Sequence, residues 1–120
     1  MAWTKSPQSL IDLFDKSVPS DAGVTRRKMF SYPAAFANGN LFIGLHQNDF
    51  IMRLSADERA RFTARYGERA FEPMKGRPMR EYVRLPEELK TDARKRAPWI
   101  KRSLEYAKQI KPKSPKLKPR

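Results

Sequence analysis

Three residues at alternate positions could do chemistry on a polyanion. In the stretch FEPMKGRPMREYVRLP (residues 71–86), Arg80, Tyr82 and Arg84 are two residues apart, so on a strand they share one face. A ring between two guanidinium groups can stack on a base while the cations meet phosphate. Upstream, Gly76 sits between Lys75 and Arg77. A phosphate-binding loop needs the spacing GxxxxGK[ST] between a strand and a helix. Here the second glycine and the hydroxyl are missing and a strand follows. Gly76 therefore reads as a turn, with Lys75 and Arg77 riding on it and Pro78 ending it. Together with Arg53 at an earlier strand end, the candidate anion-contact set is Arg53, Lys75, Arg77, Arg80, Tyr82 and Arg84. The same pattern also fits a solvated charged face balanced locally by Glu72 and Glu81.

Other reactive side chains give less. His46 is the lone histidine, and there is no cysteine, so thiolate metal sites, disulfides and a cysteine nucleophile are excluded. No serine stands in a G-x-S-x-G setting, and His46 reads as an exposed strand-end residue. The carboxylates Asp49, Asp57, Glu58, Glu72, Glu81, Glu87, Glu88 and Asp92 have local roles at turns, helix starts and beside cations. The expectation is a non-enzymatic protein with no cofactor, no metal and no identifiable small-molecule substrate.

Charge points to polyanionic partners. Lys and Arg number 26 against 13 Asp and Glu, a net +13 in 120 residues. The last ten residues, KPKSPKLKPR, carry five cations and no anion, leaving 13 − 5 = +8 on residues 1–110. No segment is apolar for long enough to span a membrane. The start, MAWTKSPQSLIDLF, lacks the pattern of a secretory leader, so a cytoplasmic protein is expected.

The elements that must position these residues follow from periodicity and punctuation. Ser6 and Pro7 open a first helix, Leu10, Ile11, Phe14 and Val18 supply its apolar stripe, and Pro19 stops it. VTRRKMF, AAFA, NLFIGL and FIMRL read as strands. Asn38-Gly39 makes a type I′ hairpin and Gln47–Asp49 another turn. Both strand faces carry apolar residues; one should meet helices, the other be partly covered or meet a partner. SADERARFTARYG is a second helix, with Ser55 and Glu58 as a capping box and Gly67 as its end. Arg59, Arg61 and Arg65 lie on or beside its outer face. FEPM and MREYVRL follow as extended pieces. A last helix spans roughly 87–110, kinked at Pro98 or split after a short piece at 87–92. Met29, Met52, Met74 and Met79 fit core packing better than an adaptable binding surface. Residues 111–120 read as a disordered basic tail. The fold expected is α+β, an antiparallel sheet with helices packed mainly on one side, in the order α-β-β-β-β-α-β-β-α.

These residues in combination resemble the TfoX/Sxy family, as a stand-alone TfoX N-terminal-domain-like protein. The resemblance runs from about Val24 to Lys111. It rests on RRKMFSYPAAFANGNLFIGLHQNDFIMRLSADERARF, FEPMKGRPMREYVRLPEE and WIKRSLEYAKQIKPK. Where much of the family has Gly-Gly after Met-Phe, this sequence has Ser31, Tyr32 and Pro33. The helical C-terminal domain of the name-giving regulators of bacterial competence has no counterpart in it. The resemblance implies an α+β domain reminiscent of secretion-chaperone-like folds, which often pair as dimers, and a regulatory, non-catalytic role alongside other proteins. The expected activity is that of a small interaction module with a protein partner or a second copy. The alternative is direct nucleic-acid binding through the basic face (Arg80, Tyr82, Arg84) and the tail.

Overall fold

The structure, a computed structural model, describes residues 6–29, 32–67, 69–74 and 76–110; of Met29, Pro73, Met74, Arg77, Pro78 and Arg80 it describes the backbone alone. Lys75 and the tail 111–120 lie outside the described residues. The chain folds as α1 (Gln8–Ser17), β1 (Val24–Met29), β2 (Tyr32–Ala37), β3 (Asn40–His46), β4 (Asp49–Arg53), α2 (Ala56–Tyr66), β5 (Ala70–Met74), β6 (Arg77–Arg84), α3 (Glu87–Lys90) and α4 (Ala93–Gln109). This is the α+β order expected, with the last helix in two pieces. Every strand pair is antiparallel, and the sheet order is β1-β2-β3-β4-β6-β5. α2 carries the chain from β4 out to the far edge, and the β5–β6 hairpin then returns β6 beside β4.

The turns work as their residues require. Asn38 and Gly39 both take positive φ, 54° and 78°, the left-handed pair a type I′ turn needs. Gly76, at φ 81°, turns β5 into β6. β6 begins at Arg77, so Pro78 lies inside the strand rather than ending the turn. Ser55 Oγ accepts the Glu58 amide, and the Gly67 amide donates to the Thr63 carbonyl. Ser6 does not cap α1. Pro7 holds the N-cap position, and the buried Ser6 hydroxyl donates to the Gln47 carbonyl at 2.7 Å, fastening the helix start to the β3–β4 turn. The break between α3 and α4 is not made by Pro98, which sits inside α4. Asp92 makes it: its carboxylate accepts the Arg94 and Lys95 amides and starts a new helix. Buried Arg96 then donates to the Leu89 and Lys90 carbonyls, satisfying the end of α3.

Two apolar clusters lie on opposite faces of the sheet. The larger joins Phe42, Phe50, Met52 and Val83 from the strands to Leu10 and Phe14 of α1, Phe62 of α2, Leu89 of α3, and Trp99, Ile100, Leu104 and Ala107 of α4. Phe42 belongs to it through a bulge: Ala35 pairs with Ile43 and Phe36 with Leu41, so Phe42 is an extra residue on β3. The smaller cluster is Ala34, Leu41, Ile51, Phe71 and Tyr82, with Phe36 and Met79 against it, all of them strand residues. It is buried because the sheet curls. A flat sheet would hold β3 and β5, three strands apart, at roughly 14 Å. Yet the His46 ring on β3 lies 5.2 Å from the Phe71 ring on β5. Register shifts on either side of Phe71 supply the bend. The second apolar face is thus closed by the chain's own sheet. His46, expected at an exposed strand end, is half-buried between the Tyr32 and Phe71 rings.

Polar side chains tie the helices to the sheet. Buried Asn40, the first residue of β3, donates to the Ala107 carbonyl at 3.0 Å, and the Ser103 hydroxyl donates to the Phe42 carbonyl at 3.0 Å. No helix among the described residues is long and apolar enough to cross a membrane.

Candidate interaction surface

The cationic sheet-face set is occupied internally wherever its side chains are described. Arg53 ends β4 with its side chain 15% exposed. Its Nε and Nη2 meet Glu81 Oε1 at 2.7 and 2.6 Å, and its guanidinium lies over the Tyr82 and Tyr106 rings. The Tyr106 hydroxyl donates to the other Glu81 oxygen at 3.0 Å. Tyr82 is buried, and its hydroxyl donates to the Leu41 carbonyl across the sheet. Its ring packs in the smaller cluster instead of presenting a stacking face to solvent. Arg84 Nε donates to the Ala70 carbonyl at 3.1 Å, holding the bulged β5–β6 pairing. Arg53 and Tyr82 stand opposite one another in the β4–β6 register, and Arg84 pairs with Ile51 two residues along. Arg77 and Arg80 are placed on β6 by their backbone. Gly76 answers the phosphate question directly: its amide donates to the Glu72 carboxylate of its own hairpin.

The electrostatics follow these bonds. Burial pushes the Glu81 carboxyl upward, but the hydrogen bonds from Arg53 and Tyr106 and the Arg53 charge outweigh it and hold it below its ordinary 4.5. A carboxyl depressed by folding stabilises the fold above its unfolded value and loses that contribution as pH falls through the folded value. Acidification below about pH 4.5 should therefore cost stability through Glu81. In Glu81→Gln the gap in urea midpoint from the parent protein should narrow between about pH 7 and about pH 3. An unchanged gap would mean the carboxylate contributes no charge-dependent stability. The Tyr82 phenol is pushed up to about 12, first by burial and then by the Glu81 charge, against the lowering effect of Arg53. Tyr82→Phe should accordingly remove a phenol that ionises well above the ordinary 10 in an absorbance titration of the folded protein.

Cations without ion pairs lie elsewhere. Besides Glu81, four described carboxylates are paired: Asp15 with Arg26, Glu88 with Lys95, Asp21 with Lys108, Glu58 with Arg102. Among the described residues Lys16, Arg27, Lys28, Arg61, Arg65, Arg94 and Lys101 form no ion pair and are exposed. Apart from Lys16 on α1, they fall in two places: along β1, and on the outer sides of α2 and α4. Arg59 is not among them, because its guanidinium donates to the Leu54 carbonyl. On the helix pair, Phe62, Tyr66 and Trp99 pack ring to ring, with Arg65 5.7 Å from the Tyr66 ring and Arg102 4.8 Å from Trp99. This aromatic–arginine cluster is absent from the sequence-derived set. Its trace in the sequence is Arg102 three residues after Trp99 on one helix, a same-face spacing.

A family model described as the TfoX N-terminal domain matches residues 8–107, from α1 to near the end of α4. The chain belongs to the TfoX N-terminal domain family. No curated protein matches it. The match takes in α1, upstream of where the sequence resemblance begins.

Two grooves open on the TfoX domain. One, of about 530 Å³, lies between α1 and α3 and is lined by Leu10, Leu13, Lys16, Asn48, Glu87 and Lys90. The other, of about 570 Å³, lies between α2 and the β5–β6 hairpin, against Ala60, Thr63, Ala64, Arg69 and Val83. Among the described residues no group of three His, Asp or Glu side chains is placed to hold a metal ion.

Proposed function

We propose that this TfoX-family domain is a non-catalytic interaction module with a regulatory role in the cytoplasm, and that it recognises an acidic surface on another protein. One observation carries the reading. Five described carboxylates are already paired with cations, while exposed arginines and lysines concentrated on β1, α2 and α4 have no ion pair among the described residues. Such a surface gains most from an acidic partner. The polar groups most able to do chemistry already serve the fold: Glu81 binds Arg53 and Tyr106, His46 packs between two rings, and Asp92 starts a helix.

A second reading, direct nucleic-acid binding, is supported by the arginines held against Tyr66 and Trp99. Guanidinium groups held against rings suit phosphate contact. The two readings separate in one titration. Labelled duplex DNA and single-stranded RNA are titrated with the full chain over a salt series, alongside Arg61→Glu/Arg65→Glu. The protein reading expects weak binding that collapses as salt rises toward physiological strength. Submicromolar binding that persists there and is lost in the double variant would replace it with the nucleic-acid reading.

A further inference from the structure

The two edges of the sheet are built differently. β5 is short, carries Pro73 and is interrupted by two register shifts. β1 pairs residue for residue with β2 through all six positions, from Val24 opposite Ala37 to Met29 opposite Tyr32. It is the first strand of the sheet, so among the described residues no strand lies on its outer side. Thr25, Arg26, Arg27 and Lys28 are all exposed. A regular edge strand offers unpaired amides and carbonyls to any extended chain that reaches it.

The side chains of β1 decide which chain that is. Arg26 turns to the helix side and pairs with Asp15, while Arg27 lies over the Phe36 ring in the smaller cluster. Successive residues alternate in this way, so cations flank both faces of the edge. A second copy pairing antiparallel about Arg26 and Arg27 would set these cations against their own counterparts, a repulsive arrangement. An incoming strand rich in Asp or Glu would instead form opposite-charge pairs across the new ladder. Arg27 and Lys28, which form no ion pair among the described residues, thus reject self-association and select an acidic strand.

We propose that β1 is the docking edge of this domain and takes an extended acidic segment of a partner protein as a seventh strand. Backbone hydrogen bonds supply the attachment, and Arg27 and Lys28 supply the choice of sequence. The proposal rests on the interaction-module reading and adds to it the place and the partner's conformation.

The test uses the full chain and a labelled seven-residue peptide of alternating glutamate and valine. Three controls accompany it: the lysine–valine counterpart, a glutamate-only peptide, and the parent peptide N-methylated at every second residue so that one edge cannot pair. Amide shifts and hydrogen-exchange rates are read along the chain. The glutamate–valine peptide should bind and slow exchange at residues 24–29. N-methylation and Arg27→Glu/Lys28→Glu should each weaken it by roughly tenfold or more. The exchange readout needs no variant, so it stands if the double variant folds poorly. Equal binding of the N-methylated or glutamate-only peptide would overturn strand addition in favour of charge alone. Perturbation confined to α2 and α4 would overturn the location and leave the interaction-module reading standing. No binding of any acidic peptide would remove both. A wild-type dimer in sedimentation that protects residues 24–29 would make a second copy the occupant and overturn the choice of partner.

Discussion

Phe62→Ala is expected to destabilise the domain by about 3–5 kcal/mol, the range for removing a fully buried aromatic ring. Phe62 is the one buried residue of α2 and is 0% exposed. Its ring stands edge-on to Trp99 at 5.2 Å and 5.0 Å from Tyr66. The rest of the helix facing the sheet is small, with Ala56, Ala60 and Ala64 lining the groove beside β6. Without Phe62, α2 keeps its Ser55 cap and the Arg59–Leu54 bond but loses the buried ring that joins it to α4, leaving Tyr66 against Trp99 and the Glu58–Arg102 pair. Because α2 bridges β4 to β5, the loss should reach the β5–β6 hairpin as well. The melting temperature should drop by roughly 12–20 °C, taking about 4 °C per kcal/mol for a domain of this size. Urea denaturation and near-ultraviolet circular dichroism check the result. A cost below about 1 kcal/mol would mean that contacts other than the ring hold α2 in place.

Phe71→Ala should act on the other face of the sheet, with a different signature. Phe71 is 3% exposed on the edge strand β5 and closes the smaller cluster over Leu41, Ile51 and Tyr82. The expected cost is about 3 kcal/mol, at the low end for a buried phenylalanine because an edge strand can partly relax into the space. The distinctive effect is exposure of an apolar face that no helix covers among the described residues. The variant should bind a hydrophobic dye and self-associate in sedimentation more strongly than the parent. A variant that binds dye and associates no more than the parent would show that β5 seals this face without its aromatic anchor.

The local elements were legible because their signals are local. Alternation marked the strands, Asn38-Gly39 a hairpin, Ser55 with Glu58 the start of α2, and the apolar stripe from Trp99 to Ala107 the buried side of α4. The misreadings arose where a short-range rule met a long-range partner. Ser6 looks like a helix cap, yet its hydroxyl is taken by Gln47, 41 residues away. Pro98 looks like the breaker of the last helix, yet Asp92 starts a new one first, and the proline rides on the exposed side of α4 near its beginning.

The candidate site shows the same division. Sequence alone determined the α+β class, the family, the cationic excess and the alternation that puts Tyr82 and Arg84 on one face. It could not determine what that face meets, because burial depends on how the sheet bends. Bulges at Phe42 and around Phe71 curl the sheet until His46 and Phe71 touch, and the curl takes Tyr82 inside. Ion pairing is equally non-local: Glu81 claims Arg53 across 28 residues, while Arg27 and Lys28 are left at an edge. Composition fixed how many cations there are. Only the tertiary structure decided which are spent within the fold and which face outward, because that depends on which distant carboxylates and carbonyls the chain brings within reach.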